Sequence, residues 1–435
     1  MGKKNKRERM NFRKTVFIKI FILCTAFAAD CTGRNSVSGA STDSGERGEV
    51  GRQLEYAAVI DAGSSGSRIR IYRIAGIGKD LIPEVTELGT EDKTLQMKIE
   101  PGISELNARN ENLSPEKLGE YLNPLFASGK SILSKEGLRE DQFRNVPIYF
   151  GATAGVRRLS QERQTKLMNL VSSVLKDSGF LSKGALVVSG EFEGVYAWTC
   201  INSLKGTLGA KTKDTYGILE MGGASTQITF VPEKGPYQSP RRFRLGEREY
   251  PLYSYSYNAL GINEARALLD HSECRNPKGN YEKCKAKIAL DLNADRFCGT
   301  TTACGLQGVS QPAPGGKFTA LGNFANLGKD LGLTYLSSAK LDEAGKQICR
   351  SSEEKIREMF PGLSKTPQKF LNGTCFHSAL TSVMLSGNGK GYDGLGFTAD
   401  SENIEPVRSV NNEVPSWTKG LVIMEKTGNH TWESE

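Results

Sequence analysis

Two stretches of this 435-residue chain place an acid directly before a turn built from glycine and serine. The first runs Tyr56-Ala-Ala-Val-Ile-Asp61-Ala-Gly63-Ser64-Ser65-Gly66-Ser67-Arg68, and the second Tyr216-Gly-Ile-Leu-Glu220-Met-Gly222-Gly223-Ala224-Ser225-Thr226-Gln227. Each is a β-branched and apolar run, an acid, a small-residue turn, and a second run alternating apolar with polar residues. That pattern predicts a β-hairpin with a carboxylate at the end of its first strand. Gly63, Gly66, Gly222 and Gly223 let the backbone approach a ligand and aim N–H groups at it, as phosphate loops do. The hydroxyls of Ser64, Ser65, Ser67, Ser225 and Thr226 add uncharged donors. Asp61 and Glu220, 159 residues apart, would face each other across a cleft if the two halves are pseudo-symmetric. Paired acids holding phosphates through a divalent ion and its water shell are a standard Mg²⁺ arrangement. A single turn of this kind would read as an ordinary hairpin; the duplication is what points to a ligand.

Two further segments must help position that chemistry. Val146 to Leu159 reads as a buried strand entering a small-residue turn, Gly151-Ala152-Thr153-Ala154-Gly155, and then a helix. Thr153 is placed there to donate to a phosphate near a helix N-terminus. Leu186 to Asn202 is another strand, turn and helix, with Glu193-Gly194 where strand gives way to helix. A carboxylate there can enter a cleft or merely pair with the helix dipole.

Composition bounds the alternatives. The chain is 38% hydrophobic and 24% charged, enough to bury a core. Of the net +8 charge, residues 1–28 carry +7, so the body is near neutral and lacks the basic face that nucleic acid or another polyanion would need. Only His271, His377 and His430 are present, in unrelated contexts, which argues against a histidine zinc site or a Ser-His-Asp triad. The basic head Met1–Lys14 and the apolar run Thr15–Ala28, ending in Ala26-Phe27-Ala28, fit a signal peptide over 1–28, with an uncleaved anchor as the alternative, followed by a flexible leader over 29–54. The cysteines agree with export. Cys274/Cys284, Cys298/Cys304 and Cys349/Cys375 are near neighbours that read as three disulfides, and Cys200 as a buried thiol. Asn112, Asn372 and Asn429 begin glycosylation sequons.

Four of these segments, Asp61–Arg68, Ala152–Arg157, Gly190–Asn202 and Glu220–Gln227, together with Ser416-Trp417, resemble the signatures of the apyrase family, the nucleoside triphosphate diphosphohydrolases that include guanosine diphosphatases. The resemblance spans Tyr56 to Leu421. It implies an α/β fold of two actin-like, ribonuclease-H-like lobes, each a mixed sheet flanked by helices, with a nucleotide cleft between. Residues 55–189 plus 405–435 would form lobe I and residues 190–404 lobe II. It implies that Glu193 is the general base for in-line attack of water, that Ser225 and Gln227 hold that water, and that Asp61 and Glu220 hold hydrated Mg²⁺ or Ca²⁺. Ser64, Ser65, Gly66, Ser67, Arg68, Thr153, Gly222, Gly223 and Ala224 would cradle the phosphates of a nucleoside tri- or diphosphate. Three departures stand out: Glu220 where Asp is usual, Ala325-Asn326 and the stretch around Gly387-Asn388-Gly389 where relatives carry base-sandwiching aromatics, and a polar 420–435 with no membrane span. An exopolyphosphatase-like hydrolase and a non-catalytic actin-like nucleotide binder are the rival expectations. The expected setting is secretory, periplasmic or extracellular, with membrane contact only through an N-terminal anchor.

Overall fold

The computed structural model describes residues 54–77, 81–90, 97–109, 113–233, 241–269, 271–294, 304–387 and 394–429. The signal segment, all of the leader before Leu54, Asn112 and Cys298 lie outside the described residues.

The first predicted hairpin is formed by β1 (Glu55–Gly63) and β2 (Gly66–Ile77), paired antiparallel from Glu55↔Ile74 to Gly63↔Gly66. β3 (Pro83–Leu88) and the two-residue β4 (Lys98–Ile99) add to β2, while β5 (Pro147–Ala152) lies parallel to β1 and β6 (Leu181–Val187) parallel to β5. The resulting order is β3-β2-β1-β5-β6. The second hairpin is β7 (Gly217–Met221) with β8 (Ser225–Phe230). Around it, β9 (Arg241–Leu245), β10 (Arg248–Asn258), β11 (Phe318–Leu321) and β12 (Ile404–Pro406) complete the order β12-β11-β7-β8-β10-β9. β8 and β10 are antiparallel neighbours, whereas β11 is parallel to both β7 and β12. From the central strand outward the two sheets share one plan, antiparallel strands on one side (β2 and β3 in the first sheet, β8, β10 and β9 in the second) and two parallel strands on the other. β12 places Glu405 and Pro406 in the second sheet, beyond the expected return to the first lobe at 405.

Helices α1 (Ile103–Arg109), α2 (Pro115–Lys135), α3 (Ala154–Arg157) and α4 (Gln161–Lys176) accompany the first sheet. α5 (Gly190–Leu204) carries the chain to the second. There, α6 (Ile262–Leu269), α7 (Tyr281–Asp291), α8 (Gly322–Asp330), α9 (Ser338–Ile348), α10 (Glu353–Met359), α11 (Gln368–Leu371) and α12 (Thr374–Ser386) follow. α13 (Trp417–Lys426) comes back to β1, β2 and β3.

Strand alternation explains how these layers stack, because successive side chains point to opposite faces. In β1, Ala58, Ile60 and Ala62 pack with α2 and α4, whereas Ala57 and Val59 face a middle layer made by α5 and α13. In β7, Leu219 and Met221 join the outer core of the second half, whereas Ile218 faces the same middle layer. Both central strands are thus buried on both sides, as strands with parallel neighbours usually are. α5 is apolar nearly all round, which suits a helix enclosed between layers, and Ser189 caps it by accepting from the Phe192 amide at 3.2 Å. The rings of Tyr196 and Trp417 stack at 6.1 Å where α5 meets α13.

Two of the three expected disulfides are present with both partners described, Cys274–Cys284 and Cys349–Cys375, and Cys200 is a buried free thiol. The third differs. Cys304 is buried and disulfide-bonded, but the expected pairing with Cys298 falls outside the described residues, so only the Cys304 end of that bridge is placed. Asn372 is exposed, whereas the Asn429 amide donates to the Arg244 carbonyl at 2.9 Å. Among the described residues no helix is long and apolar enough to cross a membrane.

Candidate active site

The period of two that builds the layers also aims the acids. Asp61 shares its face with Ala57 and Val59, and Glu220 shares its face with Ile218, so both carboxylates point from their strand ends toward the middle layer. Asp61 Oδ1 accepts from Trp417 Nε1 at 3.1 Å, a contact that joins β1 to α13. Its pKa is raised by burial, against the lowering influence of the Arg70 charge. Glu220 is pushed up to about 8 by burial and then by the charges of Glu193 and Asp61. The structure therefore brings Asp61, Glu193 and Glu220 within electrostatic reach of one another.

Glu193 sits in the first turn of α5 and is 9% exposed. Its Oε2 accepts from Arg157 Nη1 at 2.8 Å and from Gln227 Nε2 at 3.2 Å. Arg157 is a fork: Nη1 also donates to the Val188 carbonyl at 2.9 Å, and Nη2 to Ser225 Oγ at 3.0 Å. Gln227 Nε2 lies 2.8 Å from Ser225 Oγ and 3.0 Å from Ser256 Oγ on β10. Ser225 and Gln227 reach the cleft because they alternate with Thr226 and Ile228, which turn to the outer core. Burial raises the Glu193 pKa, Arg157 opposes that rise, and Asp61 adds to it. A carboxylate so poised, with a hydroxyl and an amide fixed beside it, is suited to accept a proton from a bound water.

The two turns meet. A Cβ on Gly223 would lie 2.8 Å from Ser64 Oγ, so the backbone of the second turn comes within side-chain contact of the first. The carbonyls of Gly222 and Gly223 accept from the first amides of α6 at 3.0 and 2.9 Å, which fixes the second turn and the Ala224 that follows. Ser64 and Ser65 occupy the tip of the first turn, beside Gly66. Thr153 is buried next to it, with its amide donating to the Ala62 carbonyl at 3.1 Å and its hydroxyl making no cap to α3. Ser67 is a correction: it is fully buried, and its hydroxyl meets Tyr121 on α2 at 3.3 Å, away from the cleft. Ser67 shares the face of Ile69 and Ile71, so strand alternation carries it into the outer layer. Thr226 likewise donates to the Leu260 carbonyl at 2.7 Å. Arg68 is exposed opposite Asp61 in register, close enough for its charge to lower the Asp61 pKa.

Arg157, Ser256 and Trp417 belong to the site without having been assigned a role from sequence. Arg157 and Trp417 stand inside the quoted motifs, whereas nothing in the local sequence marks Ser256.

A cation fits this donor set. Glu220 Oε2 is buried with no hydrogen-bond partner, and the acids around it outnumber Arg157. Among the described residues no three His, Cys, Asp or Glu side chains converge to ligate one ion directly, so a hydrated divalent ion suits Asp61 and Glu220 better than a dehydrated one.

The model of the GDA1/CD39 (nucleoside phosphatase) family matches residues 49–276 and 269–434. The chain belongs to that family. It is 30% identical to probable apyrase 5 of Arabidopsis thaliana over 85% of this chain and 82% of that protein. It is 26% identical to ectonucleoside triphosphate diphosphohydrolase 1 of Bos taurus over 85% of this chain and 80% of the relative. Among solved structures, a nucleoside triphosphate hydrolase from Neospora caninum superposes with a TM-score of 0.59, at 15% identity over 88% of this chain and 94% of that one. The Ppx/GppA family member from Aquifex aeolicus superposes at 0.50, with 12% identity over 87% and 99%. These last two likenesses concern the fold, and they agree with two actin-like lobes. Within the GDA1/CD39 family the chain is an apyrase-type enzyme that hydrolyses nucleoside phosphates.

Proposed function

We propose that the cleft hydrolyses the terminal phosphates of nucleoside tri- and/or diphosphates in a divalent-cation-dependent reaction, with Glu193 as general base. Glu193 takes a proton onto its carboxylate from a water that Ser225 and Gln227 hold for in-line attack on the terminal phosphorus. Arg157 positions Glu193 and Ser225 together and opposes the rise in pKa that burial gives the base. Ser64, Ser65, Gly66, Thr153, Gly222, Gly223 and Ala224 surround the phosphates from the two turns, and Arg68 adds charge at the rim. Asp61 and Glu220 would hold hydrated Mg²⁺ or Ca²⁺, which when bound neutralises phosphate charge and polarises the phosphoryl group. No covalent phosphoenzyme is required, since positioning and charge neutralisation supply most of what phosphoryl transfer needs. The observation that carries this reading is the set of short contacts among Glu193, Arg157, Gln227 and Ser225 beside two meeting glycine turns. The paired cysteines and the apolar N-terminal run support a luminal or extracellular setting, reached as an exported or N-terminally anchored protein.

The test is phosphate release from ATP, ADP, GTP, GDP and UDP by the purified chain with Mg²⁺, Ca²⁺ or EDTA. Divalent-dependent release is expected, and Glu193→Ala should lose it while still binding nucleotide. Full turnover in EDTA would remove the cation role, and normal turnover by Glu193→Ala would remove the base.

A further inference from the structure

Strand β10 alternates tyrosine with serine over Tyr253-Ser254-Tyr255-Ser256-Tyr257, so the two side-chain types go to opposite faces. The three tyrosines pack on the outer core of the second half. Ser254 and Ser256 continue the face of Tyr250 and Leu252 into the middle layer, against the start of α5. Helix and strand touch there: a Cβ on Gly190 would lie 2.2 Å from that of Ser256, and one on Gly194 would lie 2.7 Å from Ser254 Oγ. Ser254 Oγ donates to the Glu191 carbonyl at 2.8 Å and meets Thr229 Oγ1 at 2.7 Å, so its hydroxyl fastens the helix to the sheet. Ser256 has a different partner. It stands opposite Gln227 in register, and its Oγ lies 3.0 Å from Gln227 Nε2.

The same nitrogen lies 3.2 Å from Glu193 Oε2 and 2.8 Å from Ser225 Oγ. An ionised carboxylate can only accept, so the end of the amide turned to Glu193 is the NH₂, and the carbonyl oxygen is left to face the water. The last torsion of a glutamine is broad and nearly two-fold, so only its partners hold the amide in one sense. We infer that Ser256 is a positioning residue for the attacking water: its hydroxyl holds the Gln227 amide with the nitrogen toward Glu193 and the oxygen toward the water. This rests on the hydrolase reading above. Ser256 acts through Gln227 and not on the phosphates or on Glu193. An amide turned the other way would present N–H groups to the water and an oxygen to a carboxylate that repels it.

The experiment measures kcat and KM for ADP and GDP, and kcat/KM against pH, for the full chain, Ser256→Ala, Ser254→Ala, Gln227→Ala and the double variant Ser256→Ala with Gln227→Ala. Ser256→Ala keeps the Cβ that meets Gly190, so α5 keeps its seat. Its kcat should fall roughly three- to tenfold, the worth of one hydrogen bond, with KM and the acidic limb of the pH profile unmoved. In the Gln227→Ala background the same substitution should cost nothing further, because the group it held is gone. Ser254→Ala should lower Tm and leave kcat as it was. An unchanged kcat in Ser256→Ala overturns the inference, and so does a loss that persists in full without Gln227. A shifted acidic limb would mean that the hydroxyl acts on Glu193, and an equal fall of kcat in Ser254→Ala would mean a loosened α5; either overturns it. These results all leave nucleotide hydrolysis by the unaltered chain intact. If that chain releases phosphate from no nucleotide, the hydrolase reading fails and takes this inference with it.

Discussion

Removing the positive charge of Arg157 should move the acidic limb of the pH–rate profile upward. Arg157 and Glu193 form an ion pair at 2.8 Å with both side chains 11% exposed. Burial favours the protonated form of Glu193, and Arg157 is the charge that opposes it. An opposite charge at this range lowers a carboxylate pKa by about 1–3 units, so Arg157→Met should raise that of Glu193 by a similar amount. The direction of the effect follows from the role of the base. Glu193 works deprotonated, and activity is lost as pH falls through its pKa. A higher pKa therefore places that loss at higher pH, and each unit is about tenfold in the fraction of active base below it. The assay is kcat/KM against pH with saturating divalent ion, for the unaltered chain, Arg157→Met and Arg157→Lys. In Arg157→Met the limb should rise by about 1–3 units, with partial recovery of activity at alkaline pH. Arg157→Lys keeps the charge but loses the fork that also holds Ser225 and the Val188 carbonyl, so its limb should stay while kcat falls. Because stripping one partner from a buried pair can cost about 3–5 kcal/mol of stability, melting curves of Arg157→Met and of Arg157→Met with Glu193→Gln accompany the kinetics. The double variant should recover part of that stability, since it removes the Glu193 charge that Arg157 had paired. A folded Arg157→Met enzyme with an unmoved limb would refute the reasoning.

Four further outcomes are expected. Glu220→Gln should be more stable than the unaltered chain at pH 8 in EDTA, by a few kcal/mol at most. The fold raises that carboxyl to about 8, so its contribution to stability is lost as pH rises from the ordinary carboxylate range toward 8. The same variant should lose the thermal stabilisation that Mg²⁺ or Ca²⁺ confers; equal stabilisation of both proteins would exclude Glu220 from the cation site. Gly420→Ala should lower Tm sharply, because its Cβ would stand 1.8 Å from the Tyr196 carbonyl and force α13 off α5; overpacking of this kind costs about 1–3 kcal/mol or more. An unchanged Tm would mean the two helices are not in backbone contact. Replacing Cys349 and Cys375 by serine should lower stability by about 3 kcal/mol, read from denaturant midpoints, since their bridge spans 26 residues.

Much of this site was legible in the chain because strands announce themselves by alternation and turns by glycine. Both acid-bearing hairpins formed where the pattern placed them, and Glu193 came to lie at the start of a helix. The same alternation could have excluded Ser67, which shares a face with Ile69 and Ile71, and Thr226, which shares one with Ile228; grouping the hydroxyls by composition obscured that. What local pattern could not supply were partners distant in sequence. Trp417 lies 356 residues from the Asp61 it holds, and Ser256 lies 29 from Gln227 on a strand whose register depends on the whole sheet. Arg157 was in view as part of a motif, but its three acceptors come from the loop before α5, from α5 and from β8, and only the packed fold joins them.

The electrostatics of the cleft give the strongest physical reason to regard it as unfinished without a ligand. Two sheets of the same plan each end their central strand in a carboxylate, and α5 inserts a third between them. Among the described residues only Arg157 donates an ion pair to that group, and it serves Glu193. Glu220 keeps a buried oxygen that nothing satisfies, although the usual cost of such a group is about 1–3 kcal/mol. A purely structural turn would gain by replacing that acid with an amide or an apolar residue. Retaining it is intelligible if a cation arrives with the substrate, so that the carboxyl left without a partner in the empty cleft becomes a group that fastens the phosphates in it.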